Sequence, residues 1–170
     1  MGKKTQLIIG IDPGTQKCGI ACFRGNDLVN AEVLSAPSSW KLNRRVLNIA
    51  DQLVDKVSAF RGRTKPENVH VCLETPGSQN RPGRTRALLA MGTGVGAFSY
   101  AMYAQGYALH LVPVTEWARL DGGKLLSKEV RAGIMASTYP SYNSDLDKGL
   151  DAADGVGVAH YWRTQIWDGE

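Results

Sequence analysis

The chain has 170 residues, the size of one compact domain, so we expect a single domain over residues 1–170. Hydrophobic residues make up 43% and charged residues 21%, which argues against disorder, collagen-like repeats and coiled coils as descriptions of the whole chain. The formal net charge of +4 is compatible with a nucleic-acid partner but is not specific for one.

Neither a membrane span nor an export signal is expected. No apolar run approaches the roughly 20 residues that a membrane-spanning helix requires, and the apolar stretch after the N-terminus is too short for a signal peptide. The three cysteines, Cys18, Cys22 and Cys72, form no CxxC pair and have no histidines at metal-ligand spacing. We therefore expect a cytoplasmic protein with buried free thiols, a redox or zinc role being the alternative.

The first half of the chain predicts three strands and one helix. Strands are expected at 7–12, 19–23 and 28–34, joined by short turns as in an antiparallel meander. Apolar residues then recur at three- and four-residue spacing, which predicts an amphipathic helix from Leu42 to Phe60.

The second half alternates between strands and helices. Strands are expected at 69–74 and 107–113, and helices at about 85–105, 127–137 and 151–162. A further helical stretch is expected to begin at Thr115 as its N-cap. The order of elements predicts an α/β domain with a mixed sheet of five strands.

Gly92, Gly94 and Gly96 lie inside one predicted helix. Each costs about 1 kcal/mol relative to alanine, so a tertiary contact is needed to explain them. Small residues allow another element to approach closely. That element is either the sheet of the same chain or a second subunit.

Two predicted strands end in a carboxylate. Asp12 follows an apolar strand and precedes Pro13, and Glu74 follows another apolar strand and precedes a turn. Taken singly, Asp12 is equally a turn-capping residue and Glu74 a surface residue.

Asp151 and Asp154 are three residues apart and therefore on one face of the last helix. An acidic first turn favoured by the helix dipole is the alternative. Acids on two strand ends and one helix are what two-metal phosphodiester hydrolysis needs, one ion activating water and the other stabilising the leaving 3′ oxygen. Oxygen ligands without a His or Cys cluster favour magnesium or manganese.

The sequence resembles the RuvC family of Holliday-junction resolvases, in the ribonuclease H-like superfamily. The resemblance rests on three motifs, IIGIDPGT at 8–15, CLE at 72–74 and DAADGV at 151–156. Their order and spacing extend the resemblance over essentially the whole chain. It implies a ribonuclease H-like fold, a mixed five-stranded sheet flanked by helices.

The resemblance also implies an activity, paired symmetric nicks in four-way junction DNA. The implied cofactor is Mg²⁺, two ions per active site, with Mn²⁺ expected to substitute. The implied catalytic residues and metal ligands are Asp12, Glu74, Asp151 and Asp154. The implied partners are junction DNA and a second copy of the chain, which would bind through the helix that contains Gly92, Gly94 and Gly96. Whether a branch-migration partner exists is left open.

Basic residues are candidates for DNA contact. Relatives place a basic residue before the final helix, where it contributes to DNA or phosphate contact, and Lys128 and Lys124 are the nearest candidates. The alternative is that both are ordinary solvated lysines. Relatives often carry an aromatic residue shortly after the glutamate, but residues 75–84 contain none. The chain instead carries Arg81, Arg84 and Arg86 here, and their guanidinium groups are suited to contacting DNA phosphates. The alternative is a solvated basic loop that contacts nothing.

The remaining aromatic and imidazole groups are expected to be structural: His70, His110, His160, Trp162 and Trp167. Two other functions stay open. One is ribonuclease H-type hydrolysis of RNA in RNA–DNA hybrids, and the other is non-catalytic junction binding. The turn GIDPGT at 10–15 also resembles the phosphate-binding turn of actin-like ATPases and sugar kinases. That class is disfavoured, because those proteins need two such lobes around the nucleotide and 170 residues are too few.

Overall fold

The computed structural model describes residues 6–77, 85–119 and 123–166. Within these ranges, five strands form one sheet: β1 (Leu7–Asp12), β2 (Lys17–Arg24), β3 (Asp27–Ser35), β4 (Val69–Thr75) and β5 (Ala108–Pro113). The strand order is β3-β2-β1-β4-β5, with β1, β2 and β3 antiparallel and β1, β4 and β5 parallel. The mixed five-stranded sheet expected from the sequence is confirmed.

In the part of the chain that the structure describes, five α-helices flank the sheet: α1 (Leu42–Arg61), α2 (Thr85–Ala104), α3 (Val114–Trp117), α4 (Lys128–Thr138) and α5 (Asp151–Tyr161). Two boundaries differ from expectation. The short helix α3 begins at Val114 after Pro113, so Thr115 is not its N-cap. The last helix does not stay α-helical through Trp162, because a π-helical turn, Trp162–Ile166, begins there.

Both faces of the sheet are covered, which explains why β1 reads as a continuous apolar run. Leu7, Ile9 and Ile11 pack with α1 and α2 on one face. Ile8 packs with α3, α4 and α5 on the other. The three cysteines are buried free thiols, as expected.

Helix α5 packs on the sheet at backbone-to-backbone distance. A Cβ added at Gly10 in β1 would overlap the carbonyl oxygen of Gly155 in α5. Because no side chain separates the two backbones there, the first turn of α5 lies close to the end of β1.

Helix α2 presents its glycines to different surroundings. Gly94 is buried against the carbonyl oxygen of Pro13 and the methyl group of Thr15. A Cβ at Gly92 or Gly96 would meet nothing within 4 Å. Of the two alternatives that the sequence left open, packing within the same chain therefore holds for Gly94.

Within the described residues, one stretch of α2, Ala87–Ala104, is long and apolar enough to span a membrane by length and composition. The expectation that no apolar run approaches this length is corrected. Phe98 and Met102 on this helix are fully buried against the core, whereas Leu89, Tyr100 and Tyr103 are exposed. A helix packed on its own domain along one face passes the same test, so the stretch is weak evidence for membrane insertion.

Candidate active site

The four acidic residues singled out in the sequence converge at one edge of the sheet. Asp12 ends β1, and Glu74 lies next to the end of β4. These strands are adjacent and parallel, so their carboxyl ends meet at the same edge. Asp151 and Asp154 lie in the first turn of α5, which packs across β1 and β2.

The pKa values of Asp12 and Glu74 indicate that acidic side chains lie close enough to repel one another. The pKa of Asp12 is raised to about 7, first by burial of its carboxyl group and then by the charges of Asp154 and Asp151. The pKa of Glu74 is raised to about 8 by burial and by the charges of Asp12 and Asp154. Burial also raises the pKa of Asp154. Such a cluster is costly to ionise unless positive charge is supplied.

Two cations from α4 supply part of that charge. Lys128 Nζ lies 2.6 Å from Asp151 Oδ1 and 3.3 Å from Asp154 Oδ2. Arg131 donates to Asp154 Oδ1 from Nε at 3.1 Å and from Nη2 at 2.9 Å. Arg131 was not singled out in the sequence, because nothing local to α4 indicates that Asp154 lies opposite.

Trp117 is a second residue that the sequence did not reveal. It is fully buried, and its indole Nε1 donates a hydrogen bond of 3.1 Å to Glu74 Oε2. The Arg131 guanidinium lies 4.8 Å from the centre of the Trp117 ring. Trp117 thus connects the glutamate on the sheet with the arginine that contacts Asp154.

Asp147 positions the start of α5. It is buried and accepts hydrogen bonds from the backbone N–H groups of Asp151 at 3.0 Å and Ala153 at 2.9 Å, and from the Tyr142 hydroxyl at 2.9 Å. These bonds satisfy N–H groups that the first turn of a helix leaves unpaired. The acidic residue four positions before Asp151 is the sequence signal that was available for this role.

The donor set suits a hard divalent cation, because the side chains that converge are carboxylates. Burial and then the neighbouring carboxylates raise the pKa values of Asp12 and Glu74, and a bound cation would favour their ionised forms. In the part of the chain that the structure describes, no three His, Cys, Asp or Glu side chains form a group arranged to hold a metal ion. In this structure, Asp151 and Asp154 are instead paired with Lys128 and Arg131.

The expected DNA-binding residues are only partly observed. Lys128 lies on the acidic cluster, and Lys124 is exposed at the surface. Arg81 and Arg84 lie outside the described residues, as does the side chain of Arg86 in the first turn of α2.

The histidines are in packing contacts away from the acids. His70 Nδ1 lies 3.1 Å from His110 Nε2, and both rings pack on that of Trp162. His160 contacts the Tyr139 hydroxyl. This fits the structural role expected for the three histidines and Trp162, whereas Trp167 lies outside the described residues.

Comparisons with known proteins agree with the motifs. The chain is 28% identical over 166 residues to the crossover junction endodeoxyribonuclease RuvC of Leifsonia xyli, covering 94% of this chain and 75% of that protein. The structure of Thermus thermophilus RuvC in complex with a Holliday junction substrate superposes with a TM-score of 0.67 at 19% identity, over 91% of this chain and 90% of that one.

A second Thermus thermophilus RuvC structure gives a TM-score of 0.62 at 22% identity, over 92% of this chain and 95% of that one. No family model matches the chain. The expected fold is confirmed, and the resemblance read from the motifs is supported by both sequence and structure.

Proposed function

We propose that this chain, which resembles RuvC in sequence and in fold, is an endonuclease that resolves four-way DNA junctions by paired symmetric nicks. The observation that carries the proposal is the convergence of Asp12, Glu74, Asp151 and Asp154 at one edge of the sheet. These residues come from three elements, and their charges act on one another. A solvated acidic helix turn would not require Asp12 and Glu74 to lie beside it.

The four carboxylates are proposed as the catalytic residues and as ligands of two Mg²⁺ ions, for which Mn²⁺ would substitute. When bound, such ions activate a water molecule and stabilise the leaving 3′ oxygen. In the chain itself, β1 and β4 fix two carboxylates on a rigid sheet, and α5 supplies the other two. Lys128 has a side chain that is 33% exposed, so it is proposed to contact a DNA phosphate at this site.

The remaining basic candidates are also proposed to contact DNA phosphates. Lys124 is exposed in the segment before α4. Arg81, Arg84 and Arg86 follow Glu74 in the sequence and are proposed to contact phosphates near the cut strand.

A homodimer is proposed through the exposed face of α2. Leu89, Tyr100 and Tyr103 on this helix are 68%, 73% and 71% exposed. Gly92 and Gly96 lie between these residues in sequence, and a Cβ added at either glycine would meet nothing within 4 Å. Apolar side chains that flank small residues allow a second helix to approach closely, and two copies would supply the two active sites that paired nicks require.

The test is a cleavage assay on a synthetic four-way junction, with magnesium and with a chelator. Linear duplex and an RNA–DNA hybrid of matched sequence are run beside it, and Asp12→Asn protein serves as the blank. Symmetric, metal-dependent nicks confined to the junction are expected. Cutting of the hybrid alone would identify a ribonuclease H-type enzyme. Tight junction binding without cutting, across junctions of varied sequence, would identify a binding protein.

A further inference from the structure

Arg131 is the most constrained cation at the acidic cluster. Its side chain is 11% exposed, compared with 33% for Lys128. Nε and Nη2 both donate to Asp154 Oδ1, and Nη1 donates to the carbonyl oxygen of Leu126 at 2.8 Å. One face of the guanidinium packs on Trp117. Arg131 is therefore held in place by contacts other than its ion pair.

The same contacts occupy the oxygens that a metal ion would need. Asp154 Oδ1 accepts from Arg131, and Asp154 Oδ2 lies 3.3 Å from Lys128 Nζ. Both oxygens of this carboxylate are thus paired with cations of the chain. Lys128 has a flexible stem and a partly exposed side chain, so its ammonium group can turn away into solvent. Arg131 is fixed by Leu126 and Trp117 and remains beside Asp154.

We propose that Arg131 is an internal counter-ion that competes with divalent cations for Asp154 and so sets the metal affinity of the site. The inference rests on the proposed function, because it takes Asp154 as a metal ligand. In the metal-free protein, Arg131 holds the buried carboxylate in place and offsets its charge. A metal ion that binds Asp154 must replace this contact and tolerate a neighbouring positive charge. Arg131 is thus a positioning residue that acts through Asp154.

The test measures Mn²⁺ binding to the full chain by titration calorimetry, without DNA. Arg131→Gln removes the charge and is expected to bind Mn²⁺ about tenfold more tightly than wild type. This is the size of change in metal affinity that follows from replacing residues in contact with metal ligands. Arg131→Lys keeps the charge but not the paired donors to Oδ1, so its affinity is expected to lie between the two. Arg163→Gln is the matched control, because Arg163 contacts Asn26 and Tyr139 instead. It should bind as wild type does.

An affinity of Arg131→Gln equal to or weaker than that of wild type would overturn the inference, as would the absence of Mn²⁺ binding to every protein. Thermal unfolding in chelator shows whether each variant is folded. If Arg131→Gln does not fold, Arg131→Lys decides the question, and tighter binding than wild type supports the inference. Junction cleavage by the wild type is measured in parallel. If the wild type cleaves the junction but Arg131→Gln does not bind Mn²⁺ more tightly, this inference alone is overturned. If Arg131→Gln binds Mn²⁺ more tightly but the wild type does not cleave the junction, the proposed function alone is overturned.

Discussion

Gly19 of β2 lies against the carbonyl oxygen of Asp151, the first residue of α5, so closely that a Cβ at position 19 would overlap that oxygen. Gly19 is also the partner of Asp12 in the β1–β2 ladder. A single position without a side chain therefore lies beside one acid of the sheet and one acid of the helix. This close approach is what allows carboxylates from both elements to share a site.

Replacing Gly19 with alanine is expected to push the start of α5 away from the sheet. Overpacking of this kind costs about 1–3 kcal/mol of unfolding free energy, and cleavage should fall as well because Asp151 and Asp154 shift with the helix. Denaturant unfolding and the junction assay measure both effects. Gly133→Ala in α4 is the control, since nothing lies within 4 Å of its added Cβ, and it should be neutral or stabilising by up to about 1 kcal/mol. Unchanged stability and cleavage in Gly19→Ala would contradict the packing argument.

The variants Asp12→Asn, Glu74→Gln and Asp154→Asn are expected to reduce junction cleavage at least about 100-fold. Replacing a residue that only contacts a metal ligand already lowers metal affinity or activity by about 10–100-fold. Junction binding, measured by gel shift, should be largely retained. Asp55→Asn, an exposed carboxylate on α1, is the control and should cut normally. Wild-type cutting rates in any of the three variants would remove that residue from the site.

Two of these variants, Asp12→Asn and Glu74→Gln, offer a second readout in the absence of metal. Burial and mutual repulsion disfavour the ionised forms of Asp12 and Glu74 in the folded protein. The neutral amides of Asp12→Asn and Glu74→Gln are therefore expected to raise the unfolding temperature in chelator at about pH 8. A lowered unfolding temperature would show instead that these carboxylates stabilise the fold.

Asp147→Asn is expected to weaken the start of α5. The amide has one acceptor oxygen in place of two, so the bonds to Asp151 N, Ala153 N and the Tyr142 hydroxyl cannot all be kept. Loss of a helix cap costs about 1–2 kcal/mol. Cleavage should fall together with stability, measured by denaturant unfolding. Asp145→Asn changes an exposed neighbouring carboxylate and is the matched control. Equal losses of stability and cleavage in Asp145→Asn and Asp147→Asn would refute the role of Asp147 in positioning α5.

Tyr100→Glu introduces a charge on the exposed face of α2 and is expected to shift the protein from dimer to monomer in sedimentation experiments. The side chain is 73% exposed, so the fold of the single chain should be unaffected. Ile166→Glu is a comparable change at an exposed apolar residue of the π-helical turn after α5, and it should leave the mass unchanged. A dimer that survives Tyr100→Glu would move the interface away from this face of α2.

The His70–His110 pair is expected to make stability depend on pH. Burial lowers the pKa of both imidazoles from 6.5. As the pH falls below about 6.5, the unfolded chain therefore takes up protons that the folded chain resists, and the free energy of unfolding decreases. His110→Gln should lose less stability than wild type between about pH 8 and pH 5. Because both proteins carry the same carboxylates, the difference between their stability losses isolates the contribution of the imidazole. Identical pH dependence of stability in both proteins would contradict the expectation.

Local patterns were sufficient to predict the strands and to find the acids. The apolar runs that end in Asp12 and Glu74 are each followed by turn residues, so both the strand and the position of its carboxylate could be read from a few consecutive residues. Likewise, the spacing of Asp151 and Asp154 places them on one helix face wherever that helix packs. These inferences depend on backbone periodicity, which is local.

The surroundings of each acid could not be predicted in the same way. Arg131 and Asp154 are 23 residues apart, and Trp117 and Glu74 are 43 apart. The three glycines of α2 look alike in sequence, yet Gly94 packs on Pro13 whereas Gly92 and Gly96 face open space. Which neighbour a side chain meets depends on how separate elements pack.

The sequence alone therefore determined that two acids end strands and that two more share one helix face. Both conclusions follow from the regular geometry of the backbone within a single strand or helix. The tertiary structure decided that β1, β4 and α5 bring the four acids together, through the close approach at Gly10 and Gly19. It also decided that Lys128 and Arg131 from α4 are their counter-ions. Burial and repulsion among carboxylates exist only once the elements are packed, so the chemistry of the site is a property of the fold.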